Sequence, residues 1–115
     1  MATSNSELKY VSDRRYLNYL ERSIDEGTQF AVFEPNGPKL WTNIRDTISS
    51  FLYTEWFSGA LLGNSPQEAF FVRCDRSTMT QADLDNGRLI CLVGVALQKP
   101  AEFVIFRIGQ AVLSN

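Results

Sequence analysis

Histidine is missing from all 115 residues of this chain, and cysteine occurs only twice. The first absence removes the side chain best suited to moving protons near neutral pH, which is also the commonest metal ligand. The two cysteines, Cys74 and Cys91, stand apart in apolar runs without C-x-x-C spacing. They read as buried thiols of a reducing compartment, not as a redox or zinc motif. Basic excess is lacking too: 11 lysines and arginines face 13 acidic residues, a net charge of −2. Nucleic-acid binding usually needs a positive surplus to neutralise phosphates, so no nucleic-acid partner is expected. No apolar run approaches the roughly 18 residues of a membrane span. The opening MATSNSELK has no apolar core of a signal peptide. The expectation is a cytoplasmic protein with no membrane partner.

What is present is ordinary for a globular protein: 44% hydrophobic and 21% charged residues. The length suits one domain and can form a core without disulfide or metal. Residues 1–9 are small and polar and read as a loose leader. Ser12 is placed to cap a helix to about Glu26, with Leu17, Leu20 and Ile24 on one stripe and Gly27 as a left-handed stop. Phe30–Phe33 reads as a short strand closed by a Pro35-Asn36-Gly37 turn. Pro38 fits the first turn of a second helix. Its apolar stripe runs through Leu40, Trp41, Ile44, Ile48, Phe51, Leu52 and Trp56 to about Leu62, before Gly63-Asn64. Ser65-Pro66-Gln67-Glu68 fits a capping box ahead of a single helical turn, with an extended segment over Ala69–Cys74. Thr80 to Asp83 is a weaker version of that box, for a short helix ending at Asn86-Gly87. Strands follow at Leu89–Leu97 and Phe103–Ile108, and the tail GQAVLSN fades into small and polar residues. The order predicts an α+β domain, with a small mixed or antiparallel sheet packed on two main helices.

Candidate chemistry is thin. Asp83, Asp85 and Asn86-Gly87 look like part of a calcium loop, but positions six and twelve of such a loop fall on Arg88 and Gly94, where glycine and glutamate are required. Phe70-Phe71-Val72 lacks the glycines of an RNA-recognition strand. Cys74 beside Asp75 has no histidine to activate it. The pairs Asp25/Glu26 and Asp83/Asp85 read as solvated helix ends, and there is no phosphate-cradling glycine loop. No enzyme activity, cofactor, metal or small-molecule substrate is expected. The arginines at 14, 15, 22, 73, 76 and 88 form no run. Arg14 and Arg15 fall in the first turn of the expected helix, where the macrodipole disfavours cations.

The last two strands carry the most physical information. Leu89, Cys91, Val93, Val95 and Leu97 share one face of the first strand, and Ile90, Leu92, Gly94 and Ala96 the other. Phe103 and Ile105 share a face of the second strand, with Val104, Phe106 and Ile108 opposite, and only Arg107 interrupts. Strands apolar on both faces are normally covered on both sides, and a long apolar edge is an aggregation hazard. These strands are expected to be sandwiched between the helices or to accept a strand from another subunit by β-augmentation.

The segments DEGTQFAVFEPNGPKLW and GNSPQEAFFVRCDRSTMTQADLDNGRLICLVGVALQKPAEFVIFRI resemble the C-terminal domain of tail sheath proteins from contractile bacteriophages and related contractile injection systems. The resemblance runs from about Tyr10 to Gln110. It rests on the VFEPN turn, the Trp-bearing helix, the EAFFV-x-C-D strand, the T-M-T-Q-x-D-x-x-N-G-R-L segment and the PAEFVIFRI end. It implies a structural subunit in a helical homo-oligomeric lattice around an inner tube, with arms of neighbouring subunits adding strands to its sheet. Leu89, Cys91, Val93, Val95, Phe103, Ile105 and Arg107 are then the docking positions. The polar segment Asp75–Gly87 becomes a connector presenting Arg76, Thr80, Gln81, Asp83 and Asp85 to the tube or a neighbour. Localisation would be the host cytoplasm during assembly, and the virion tail or device sheath afterwards. The chain divides into a leader 1–9, a sheath-like domain 10–110 and a tail 111–115. Family members are usually several times longer, with outer domains ahead of this one. A soluble adaptor or baseplate-like module using the same domain is the competing expectation.

Overall fold

The computed structural model describes the backbone of residues 2–97 and 103–113, with side chains from Asp13 onward within those ranges. Helix α1 spans Ala2–Gly27. It therefore begins well before Ser12 and takes in the stretch read as a loose leader. Leu20 and Ile24 are buried, with Tyr16 and Leu17 packed beside them, so the stripe read from sequence does face the core. Gly27 is not in the left-handed region. Thr28 closes the helix instead: its hydroxyl donates to the Ile24 carbonyl at 2.8 Å and its N–H to the same oxygen at 3.0 Å. A terminal carbonyl satisfied in this way does not need the glycine conformation.

Residues Gln29–Phe33 form a 3-10 helix, not a strand. The Ala31 N–H bonds back to Thr28 and the Glu34 N–H back to Ala31, at 3.1 and 3.0 Å. With its peptide groups used locally, the segment has no ladder to offer. The Pro35-Asn36-Gly37 turn has a further role. Asn36 is fully buried. Its carboxamide accepts from Trp41 Nε1 at 2.7 Å and donates to the Arg88 carbonyl at 3.1 Å.

Helix α2 spans Pro38–Phe57 with proline in its first turn, and buries Leu40, Trp41, Ile44, Ile48 and Leu52 at spacings of one, three and four. It ends earlier than the stripe suggests. Gly59 and Gly63 both have positive φ, +90° and +119°, which other L-residues rarely adopt. The returning chain is pinned by Trp56 Nε1 donating to the Gly63 carbonyl at 2.9 Å. Helix α3 is one turn, Pro66–Ala69, and strand β1 follows directly at Phe70–Arg73. The Ser65 side chain makes no cap bond to the backbone; its hydroxyl lies 3.4 Å from Glu68 Oε2. The reciprocal box forms instead at α4, Gln81–Asp85. There the Asp83 N–H donates to Thr80 Oγ1 at 3.1 Å, and the Thr80 N–H to Asp83 Oδ2 at 2.9 Å. The shorter aspartate suffices because Arg88 Nε, 2.9 Å from its other oxygen, holds the carboxylate in place.

Strands β2, Arg88–Ala96, and β3, Phe103–Ala111, complete an antiparallel sheet of order β1-β2-β3. β3 is longer than the sequence suggested, because Gly109, Gln110 and Ala111 pair with Ile90, Leu89 and Arg88. The tail continues the pattern: Leu113 bridges Pro35 in parallel. Leu89, Cys91, Val93 and Val95 are wholly buried beneath α1 and α2, beside Ile108 and Phe106 of β3. Cys74 falls opposite Cys91, one step beyond the Arg73–Leu92 pair, and both thiols are free and buried. A hydrogen bond between the thiols, with burial, pushes the Cys91 thiol up from its ordinary value. The architecture is the expected α+β fold with its sheet on two main helices. No described helix is long and apolar enough to cross a membrane.

Candidate assembly interface

A three-stranded sheet has two edges, and the fold treats them differently. Peptide groups of a strand alternate sides, so each residue's N–H and C=O serve one neighbour only. Gly87 accepts from Val112 N–H at 2.7 Å, which places the odd residues of β2 toward β3. The even residues then face β1, and their carbonyls are met along that side. Leu92 and Gly94 pair with Arg73 and Phe71. Beyond β1, the Ala96 carbonyl accepts from Leu62 N–H at 3.0 Å, and the Ile90 carbonyl from the Thr78 hydroxyl at 2.7 Å. The polar segment after β1 thus plugs the sheet where β1 stops.

The outer edge of β1 is short and blunted. The Phe70 N–H turns back to the Pro66 carbonyl. The Cys74 carbonyl just past the strand accepts from Arg45 Nη1 at 2.6 Å. A charged side chain at the end of a four-residue edge hinders further pairing.

β3 is the opposite case. Its even residues serve β2, leaving the peptide groups of Phe103, Ile105, Arg107, Gly109 and Ala111 directed outward. Among the described residues, Ile105, Arg107, Gly109 and Ala111 have no hydrogen-bond partner on that side. The edge closes only beyond the strand, where Leu113 N–H donates to the Glu34 carbonyl and Asn36 N–H to the Leu113 carbonyl, at 3.0 and 3.1 Å. Ile105 is 58% exposed and Val104 39%. Gln110 ties the end of the strand to α1 through its amide, which donates to the Asp25 carbonyl at 2.9 Å and Thr28 Oγ1 at 3.0 Å.

The docking positions expected from sequence therefore separate. Leu89, Cys91, Val93 and Val95 belong to the central strand, paired on both sides and wholly buried. They cannot receive an added strand while β1 and β3 are in place, and their apolar character is that of core. Phe103, Ile105 and Arg107 lie on the free edge. The alternation of β3 puts their side chains on the sheet face away from the helices, together with Phe71, Ile90 and Leu92.

The polar segment divides in the same way. Thr80 and Asp83 are committed to the capping box, and Asp83 also to Arg88. The Thr80 N–H, then Arg88, hold the Asp83 carboxyl below the usual range. Hydrogen bonds from Ser77 do the same for Asp75. Arg76, Gln81 and Asp85 remain on the surface as a chain, Arg76 Nη2 to Gln81 Oε1 at 3.2 Å and Gln81 Nε2 to Asp85 Oδ1 at 2.9 Å. A cavity of about 250 Å³ lies between this segment and the open sheet face, lined by Thr78, Met79, Asp83, Ile90, Leu92 and Arg107 among others. No group of histidine, cysteine and acidic residues able to hold a metal ion occurs among the described residues.

A three-stranded sheet packed on two main helices, with β3 as its open edge, defines a small α+β module. The sequence matches the phage tail sheath C-terminal domain family over residues 3–111. The chain belongs to that family. It is similar to a chain of the anti-feeding prophage baseplate, at 42% identity and TM-score 0.70, covering 81% of this chain and 26% of that one. It is similar also to a chain of the sheath complex of the extracellular contractile injection system PVC in its contracted state, at 42% identity and TM-score 0.69, covering 81% and 27%. The chain thus spans about a quarter of the length of these relatives. A search of curated proteins finds no match.

Proposed function

We propose that this chain is a sheath assembly domain of a contractile injection device, and that the free edge of β3 accepts an extended strand from a neighbouring subunit. The observation that carries this reading is the row of unpartnered outward peptide groups at Ile105, Arg107, Gly109 and Ala111, beside exposed Val104 and Ile105. Each new hydrogen bond contributes about 0.5–1.5 kcal/mol net. Ordering each residue of the incoming strand costs about 1–2 kcal/mol of backbone entropy. One added strand is therefore weak by itself and becomes effective when repeated across a lattice. The surface chain Arg76-Gln81-Asp85 is assigned to the inner tube or a second neighbour. Assembly takes place in the host cytoplasm and ends in the device sheath.

The test is Ile105→Pro. The Ile105 N–H points outward, so proline removes one edge donor and projects its ring there without breaking a β2–β3 bond. The expected variant keeps the wild-type circular dichroism spectrum, with stability within about 1 kcal/mol, and fails to join ordered tubes seen by electron microscopy with tube protein. Normal assembly of Ile105→Pro removes the edge reading. The likeness to a baseplate chain favours one alternative, a soluble adaptor holding a single partner strand. In that case the wild-type chain gives a discrete heteromer instead of tubes.

A further inference from the structure

Arg107 stands at the midpoint of β3, four residues from either end. Its guanidinium has no hydrogen-bond or ion-pair partner among the described residues. The nearby Asp83 carboxylate is already held by Thr80 N–H and Arg88. Arg107 is thus an exposed, unmatched positive charge on an otherwise apolar open edge, with exposed Ile105 and Gly109 on the same face. From this placement we infer that Arg107 is the selectivity element of the β3 edge: it admits a strand carrying a carboxylate at the facing position and rejects a second copy of β3. The inference rests on the strand-addition reading above.

The rejection follows from register. Two β3 edges pairing about a two-fold axis over their full length would join Phe103 to Ala111 and Ile105 to Gly109. Arg107 would then face Arg107. The outward peptide groups permit this register, because all five positions are odd. It places like charges directly opposite, with Cα atoms about 5.5 Å apart, where such pairs are destabilising. The smallest shift that keeps the same peptide groups facing leaves the two arginines as diagonal neighbours, still within reach of long side chains, and shortens the ladder. A charge in the middle of an edge guards against self-pairing more effectively than one at its end, since no long register escapes it. The same charge becomes an attraction when the incoming strand brings glutamate or aspartate to that position, flanked by apolar residues that cover Ile105 and Phe103. The discrimination is then a difference between one favourable and one repulsive contact.

Two extended peptides of the length of β3, identical except for glutamate or lysine at the centre, provide the probe. The wild-type chain is expected to bind the glutamate peptide about tenfold more tightly, Arg107→Lys to keep most of that preference, and Arg107→Glu to reverse it. Arg107→Val is expected to self-associate in sedimentation at concentrations where the wild type stays monomeric, with an unchanged melting profile because the side chain is exposed. Equal binding of the two peptides, or no extra self-association of Arg107→Val, overturns the inference while leaving strand addition standing. If neither peptide binds, strand addition itself fails, and the inference with it.

Discussion

Gly94 lies two residues before the end of β2, and the space where a side chain would begin is occupied. A Cβ built there would come within 2.0 Å of Phe71 Cε2 and 2.6 Å of Cδ2 and Cζ. The Phe71 ring therefore lies flat across the glycine, and its centroid sits 5.4 Å from that of Phe103 in an edge-on arrangement. Gly94→Ala must push the ring off this seat and disturb the aromatic pair. The nearest atoms are the far end of a side chain, so the ring can move. We expect the overpacking to cost about 1–3 kcal/mol, a sizeable share of the roughly 5–15 kcal/mol by which a domain is stable. Phe71→Ala alone should cost about 2 kcal/mol, less than a fully buried phenylalanine because the ring is only half buried. The decisive measurement is the double variant. With the ring gone, the three nearest contacts of a Cβ at 94 are removed, and alanine lowers the backbone entropy of the unfolded chain. Gly94→Ala should then stabilise by roughly 0.5–1 kcal/mol. Urea unfolding followed by the fluorescence of Trp41 and Trp56 gives all four values of the cycle. A cost of Gly94→Ala that is the same in both backgrounds refutes the account of Phe71 as the reason for the glycine.

Two further outcomes follow from the fold. Asn36→Ala strands the Trp41 indole N–H and the Arg88 carbonyl, both otherwise satisfied by one carboxamide, and should cost about 2–5 kcal/mol in thermal or urea unfolding; a loss below 1 kcal/mol would show that water replaces it. Asp83 has a depressed folded pKa, from the Thr80 N–H and Arg88, so its contribution is complete above the unfolded value and is lost as pH falls through the folded one. Asp83→Asn should accordingly lower stability at pH 7 and flatten the decline below about pH 4, read from melting temperature against pH; an unchanged acid limb would remove Asp83 as a titrating stabiliser.

Much of the fold is legible in the sequence because it rests on local signals. The stripe from Leu40 to Leu52 and the proline at 38 specify α2. The apolar runs from 89 and 103 specify the two long strands. Other features are legible only after the chain has folded. Gly109 to Ala111 carry no strand signature of their own and extend β3 because β2 supplies a partner. Phe30 to Phe33 are good strand formers, yet they become a 3-10 helix once Thr28 and Ala31 offer nearby acceptors. The weaker-looking of two capping boxes is the one that forms, since Arg88, beyond the box in sequence, steadies the aspartate. Asn36 reads as a turn residue, and its buried role depends on Arg88, 52 positions away. For the interface, the paired runs indicate that one strand is incompletely covered, but which strand it is depends on sheet order, and no periodicity encodes that.

Sheet order also gives the interface a direction. The helices cover one face, Phe71 covers Gly94, and Thr78 with Leu62 closes the even side of β2. Arg45 and the turn at Phe70 blunt β1. What remains unmet is concentrated at β3, so on the proposed reading each copy offers one acceptor edge. Its own opposite edge is a poor donor to the next copy, because it is only four residues long and a guanidinium sits just past its end. On that reading, the segment that fills the β3 edge of a neighbour comes from outside the sheet. An acceptor and a donor on different surfaces make a heterologous contact, and such contacts build rings or helical filaments, while a self-complementary patch closes into a dimer. A protein whose edges were both open would pair without limit in the sheet plane, and one with both sealed would not assemble through its sheet at all. On the proposed reading, blunting one edge and placing a charge at the middle of the other would confine growth to a single strand donor per subunit, which is the property a regular tubular lattice requires.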